Sequence, residues 1–465
     1  MPEKREPADL ESDLAGLLAM VLTPATTSDE LMARLDHVYA AFNAIDFAHY
    51  DTHRLADHAP ALIQQLFDTR MQLREQLRSW QHDGLLSGQV QRSLRDVFRA
   101  MRYGADMLGE VTIGFRQLIN GAHPLTAFRG RDMNTLINPR FNERHDLPFQ
   151  SGDVLLVRGR HHNSAAIARI GDVDSQYSHL GIIYIDPKGH NWIVEVLIED
   201  GGTIQPLGKA LNHELGRAIV LRHRDAALAQ RAAFIAHEHV KHSLSRYGKP
   251  ILYDFTMHSE NPRRMYCSRL IGYAFERASE GKCLLPTFPT HLVMGNKDFF
   301  KRIGVTADVT FAPGDLELEP DFDVVAEWQD YRTTASLRHQ DIVMDKLFAW
   351  MDQYQLRFKE TFIINIVSWL GRRAAGFSNT VKSMIADVIP KVPAHMPRRT
   401  IATIVMLHRT ADPLMHEIGA LEQERIGLFG HPLHPREIGE YLERIRAKSA
   451  NEIGYLVPAA KPAAK

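Results

Sequence analysis

The feature that most constrains this chain is a change of hydrophobic period that happens twice along its 465 residues. From residue 8 to about 118, apolar residues recur at helical intervals. "ALIQQLFDTRMQLREQLRSW" sets Leu62, Leu66, Met71, Leu73 and Leu77 among charges, and "RSLRDVFRAMRYGADMLGEV" does so with Leu94, Val97, Phe98, Met101 and Met107. From Asp153 the period shortens. "DVLLVRG", "HLGIIYI", "NWIVEVLI" and "RAIVLRH" are brief β-branched runs bounded by Gly, Pro, Asn or Asp. Helical spacing returns at Ala226 to Leu244 and at Cys267 to Ala278, then dominates from Val324 to Ala447. The pattern predicts an α+β domain with an antiparallel sheet over residues 146–312. An α-helical region and connection (1–145) precedes it, and a linker with a C-terminal α-helical region (313–465) follows. "TFAPGDLELEPDFD" reads as the linker, and "VPAAKPAAK" as a disordered tail.

Composition excludes several classes. A net charge of -1 gives no electrostatic footprint for nucleic acid. Two cysteines cannot build a disulfide framework, so a reducing compartment and a cytoplasmic location are expected. Nothing reaches the apolar length of a membrane span. Phe362 to Leu370, beside Arg372 and Arg373, could rest on a membrane surface, against the competing reading of an ordinary buried helix. There is no P-loop and no dinucleotide fingerprint, and no cofactor is expected. "AHEHVKH" (His237, Glu238, His239, His242) lacks the His-Glu-x-x-His spacing, and His161-His162 reads as a loop, so no metal site is expected either.

Chemistry concentrates in the centre. In "SHLGIIYIDPKGHNWIVEVLIEDGG", Asp186-Pro187-Lys188-Gly189 suits a tight turn, with Asp186 facing His190. That register puts Gly181 opposite Glu195 and His179 opposite Leu197, so His179 and Glu195 are diagonal neighbours on one face. Glu195 sits among Ile193, Val194, Val196 and Leu197, where a carboxylate needs a partner. His179 is the available one.

"MYCSRLIGYAF" supplies a third group. Leu270, Ile271, Ala274 and Phe275 follow Cys267 at helical offsets, and the polar segment "HSENPRRM" with Pro262 precedes it. Cys267 therefore opens a helix, where first-turn amides and the helix dipole favour a thiolate and can donate to an oxyanion.

The ordered set "GDVLLVRG", "YSHLGIIY", "VEVLIEDGG", "YDF" and "MYCSRLIGYAF" resembles the permuted papain-like, NlpC-type cysteine hydrolases. It is most similar to their YiiX-like branch, with lecithin retinol acyltransferase a distant relative. The resemblance covers residues 152 to 300. It implies a permuted papain-like central domain with a catalytic helix, Cys267 as nucleophile, His179 as base and Glu195 as the residue orienting it. Tyr253 or Tyr266 would add an oxyanion donor to the Cys267 amide. Arg269 departs from the Glu often found at its place in the family. The substrate implied is a peptidoglycan-type peptide or a lipid acyl group, and acyl transfer is an alternative outcome.

Competing readings remain at each position. Asp200 and Asp254 are alternative orienting carboxylates, Cys283 in "EGKCLLP" reads as structural, and the whole centre could be a degenerate module in a binding or scaffold protein.

Overall fold

The N-terminal helices follow from their apolar stripes. They are α1 (Pro7–Leu22), α2 (Ser28–Ala44), α3 (Thr52–His82) and α4 (Gly88–Arg116). Asp51 caps α3 by accepting from the amides of His53 and Arg54 at 3.0 and 3.1 Å. Leu62, Leu66, Leu73 and Leu77 of α3 and Leu94, Val97 and Phe98 of α4 are buried in one shared core. The computed structural model describes residues 5–116, 128–129, 134–141, 146–172, 174–211, 215–258, 260–292, 297–359 and 395–459. Phe362 to Leu370, most of the connection at 119–145 and the last six residues of the tail lie outside them.

A seven-stranded antiparallel sheet forms the centre. Its strands are β1 (Thr135–Ile137), β2 (Val154–Gly159), β3 (His179–Ile185), β4 (Asn191–Leu197), β5 (Gly201–Pro206), β6 (Leu215–His223) and β7 (Phe322–Gln329). Their spatial order is β1-β7-β6-β2-β3-β4-β5. Alternation sorts the side chains by face. Val154, Leu156, Leu180, Ile182, Val194 and Val196 join the core shared with the N-terminal helices, whereas Leu155, Val157, Ile183 and Ile193 pack on the other side. Between β2 and β3 lies the short α5 (His162–Ile167), and after β6 come α6 (Ala226–Tyr247) and α7 (Cys267–Ala278). Leu270, Ile271, Ala274 and Phe275, the stripe expected on α7, are all buried. Further helices are α8 (Lys297–Ile303), α9 (Thr334–Gln353), α10 (Arg398–Phe429) and α11 (Pro435–Lys448). They form a second core around Leu347, Trp350, Met406, Ile418 and Ile438. This is the mixed α+β architecture with helical flanks that the period changes indicate. Among the described residues no helix is long and apolar enough to cross a membrane.

Three local features differ from or add to the sequence reading. "TFAPGDLELEPDFD" is not an open linker. Residues Pro313–Leu318 form a fully buried 3-10 turn, and the chain enters β7 at Phe322. The segment looks solvent-facing because it is acidic and holds Pro and Gly, but Asp315 and Glu317 are paired inside. Asp315 meets Arg95 at 2.8 Å, and Glu317 meets Arg102. Glu327, on β7, binds Arg70 at 2.5 Å and Arg102 at 3.1 Å. These arginines belong to α3 and α4, far upstream. Second, "GGTIQP" is the edge strand β5, although Gly201-Gly202 argues locally against a strand. Gly201 adopts φ +73, and a Cβ there would stand 2.1 Å from the Ile251 carbonyl oxygen, so close backbone approach accounts for the glycine. Third, His162 opens α5 rather than lying in a loop.

Candidate active site

The geometry starts at a turn. Gly189, at φ +82, donates its amide to the Asp186 carbonyl at 2.9 Å, and Asp186 donates to the His190 carbonyl at 3.1 Å. This fixes the β3–β4 register as Ile185 opposite Asn191 and Ile182 opposite Val194. It is the register expected from the sequence, and it carries on to place Gly181 across from Glu195. Glycine there makes room: a Cβ on Gly181 would lie 3.2 Å from the Glu195 Cβ and 2.8 Å from the Ile193 side chain.

His179 Nε2 lies 2.7 Å from Glu195 Oε2. The Glu195 side chain is 5 % exposed and that of His179 24 %, so the carboxylate is sealed while the ring keeps one open side. Gln205 on β5 donates its Nε2–H to Glu195 Oε1 at 2.6 Å. It pairs with Ile193 and so shares the face of Glu195. Sequence reasoning missed Gln205, since β5 was not read as a strand; the alternation of Thr203 and Gln205 was the signal that could have found it.

Cys267 is the first residue of α7, with Tyr266 in extended conformation at the cap. Since Nε2 is taken by Glu195, Nδ1 is the His179 nitrogen left to serve the sulfur, and the ring and the thiol lie within reach of each other's charge. Burial alone would push the Cys267 thiol up. The His179 bond and charge, the Ser268 hydroxyl and the Leu180 amide outweigh it and hold the thiol below its ordinary value. The converse holds for His179: burial opposes its charge, yet Cys267 and Glu195 raise it to about 10. Each shift favours the charged form of its group, thiolate on one side and imidazolium on the other.

The two tyrosines differ. The Tyr266 hydroxyl accepts from the Phe311 amide at 3.4 Å. Tyr253 is buried within electrostatic reach of Cys267; burial first, and then the sulfur's charge, push its phenol well up, so it stays a proton donor. Asp254 is spent on its own turn, accepting from the Thr256 amide at 3.0 Å and hydroxyl at 2.7 Å. Asp200 is exposed in the turn after β4. Arg269 pairs along its own helix with Glu276 at 3.2 Å. Cys283 lies apart, its thiol pushed up to about 11 by burial and by Glu319 and Asp321. On α6, His237 stacks on Tyr184 with centroids 4.3 Å apart, while His239 and His242 bond the carbonyls of Pro262 and Glu238.

Tyr253 also lines an apolar cavity of about 100 Å³ that opens to solvent. Its walls include Ile198, Phe255, Phe299, Ile404 and Leu407, so they come from the sheet region and from the C-terminal helices.

Residues 148–297 match the family described as permuted papain-like amidase enzyme, YaeF/YiiX, C92 family. The match leaves both helical flanks outside it. The central region is thus of the permuted papain-like, YiiX-like hydrolase kind, as the ordered motifs indicate. No curated protein and no solved structure matches the chain.

Proposed function

We propose that this chain, whose centre is of the permuted papain-like amidase kind, is a cysteine hydrolase working through an acyl-enzyme on Cys267. The observation that carries the reading is the continuous line from Glu195 through His179 to the thiol at the start of α7. The Cys267 thiolate attacks the carbonyl carbon, and the carbonyl π pair moves onto oxygen. The Cys267 amide and the Tyr253 hydroxyl would receive that oxyanion. Collapse expels the amine or alcohol, which takes its proton from the His179 imidazolium. Water then attacks the thioester, His179 takes its proton, and the acid leaves with the thiolate restored. Glu195 stabilises the ring's charge, and Gln205 holds Glu195.

Of the two substrate classes, the apolar cavity beside Tyr253 favours a lipid acyl group over a polar wall peptide. The test is a panel of N-acyl amides, acyl esters and peptidoglycan peptides run with the wild-type chain and Cys267→Ala. Turnover of an acyl amide or ester that vanishes in Cys267→Ala supports the reading. Turnover only of wall peptides rejects the lipid assignment, and turnover by the alanine variant rejects the mechanism. A binding or scaffold role would leave every member of the panel intact. Both cysteines are free thiols, which suits a reducing, cytoplasmic setting.

A further inference from the structure

Away from the thiol, at the seam between the sheet region and the C-terminal helices, three side chains meet that the proposed reaction does not use. His162 comes from the first turn of α5. His408 and Asp412 come from α10, four residues apart and so on one face of that helix. One ligand atom from each lies within 4.8 Å of the others. His162 Nε2 is 3.8 Å from Asp412 Oδ1, and the two imidazole rings stand edge-on with centroids 4.8 Å apart.

A second observation points to a ligand. The His162 side chain is only 9 % exposed, and its Nδ1 has no hydrogen-bond partner; Nδ1 of His408 is likewise buried and unpartnered. Buried ring nitrogens are normally satisfied, so two orphans in one cluster call for an occupant. The nearby Arg158 is already committed to Asp341 at 2.9 Å.

We infer that His162, His408 and Asp412 form a zinc-binding site that clips α5 to α10. Two imidazole nitrogens and one carboxylate oxygen suit a borderline cation such as zinc, whereas magnesium and calcium prefer oxygen alone. Both helices also wall the apolar cavity, through Asn163, Ala166 and Ile167 on one side and Thr403, Ile404 and Leu407 on the other. The metal would therefore hold the cavity's two walls in register, and it would take no part in bond cleavage. Sequence inspection does not reveal this cluster, because His162 reads as half of a loop pair and its partners lie far downstream.

The test uses the full-length chain carrying Cys267→Ala, which removes the thiolate as a competing ligand. The protein is stripped with chelator, titrated with zinc, and assayed for bound metal and for melting temperature. One equivalent of zinc and a raised melting temperature are expected, with no such response to magnesium. Adding His408→Ala or Asp412→Asn should weaken zinc binding by more than about tenfold and abolish the thermal response. Asp412 is 43 % exposed, so its Asn variant should fold normally. His242→Ala, on the exposed histidine cluster of α6, should change nothing. Failure to bind stoichiometric zinc, binding untouched by His408→Ala, or binding lost in His242→Ala would each overturn the inference.

Discussion

His179 and Glu195 meet at 2.7 Å as diagonal neighbours across a hairpin, with a glycine between them where any side chain would collide. The carboxylate is nearly sealed and the ring is not. In the proposed mechanism this asymmetry lets Glu195 bias the ring's charge while the other nitrogen serves the sulfur.

Glu195→Gln should keep an acceptor for the ring but lose the stabilising charge. A fall in kcat/KM on the order of 10–1000-fold is expected. Gln205→Leu should be milder and should lower the alkaline limit of activity, because an unanchored carboxylate supports the imidazolium less well. A pH-rate profile of Gln205→Leu superimposable on wild type would remove Gln205 from the account.

Activity should fall at high pH as His179 loses its proton. The group that protonates the leaving amine is raised to about 10, so the alkaline limb of kcat/KM should lie near that value. The measurement is kcat/KM against pH, and an alkaline limb near the ordinary histidine range would contradict the pairing.

The hairpin, its register and the cysteine helix were legible in the sequence because each rests on local rules: turn chemistry, strand alternation and helical spacing. The edge strand β5 was not, since paired glycines weaken a strand pattern whose reason, the approach of Ile251, is tertiary. Nor was burial of residues 313–320. Asp315 and Glu317 look like surface charge until Arg95 and Arg102 arrive from α4.

That arginine–carboxylate seam should dominate stability. Burial works against the Glu327 charge, but Arg102 and Arg70 hold its pKa down to about 2. Its folded value lies below the ordinary glutamate value of 4.5, so its contribution is present above that pH and is lost as pH falls toward about 2. Arg102→Ala leaves a buried carboxylate short of a partner and should cost about 3–5 kcal/mol. Denaturant melts would check this, and a loss within the noise would show that the seam contributes nothing.

Narrowing the cavity should discriminate by chain length. Ile404→Trp fills one wall, so KM for long acyl substrates should rise while short acyl substrates are cleaved as before. Equal effects on both would separate the cavity from substrate binding.

The most direct test of the central claim is the alkylation rate of each cysteine against pH, with peptide mapping of the adducts. A free thiol titrates near ~8.5, and a thiol at a helix start beside an imidazolium falls to roughly 3.5–7.5. Cys267 is held low, whereas Cys283 is pushed up to about 11. Iodoacetamide at pH 6 to 7 should therefore modify Cys267 well before Cys283, and His179→Ala should erase most of that preference. A Cys267 rate that climbs only above pH 8, or a Cys267 that stays unmodified while Cys283 reacts, would contradict the account and leave "MYCSRLIGYAF" as an ordinary core helix.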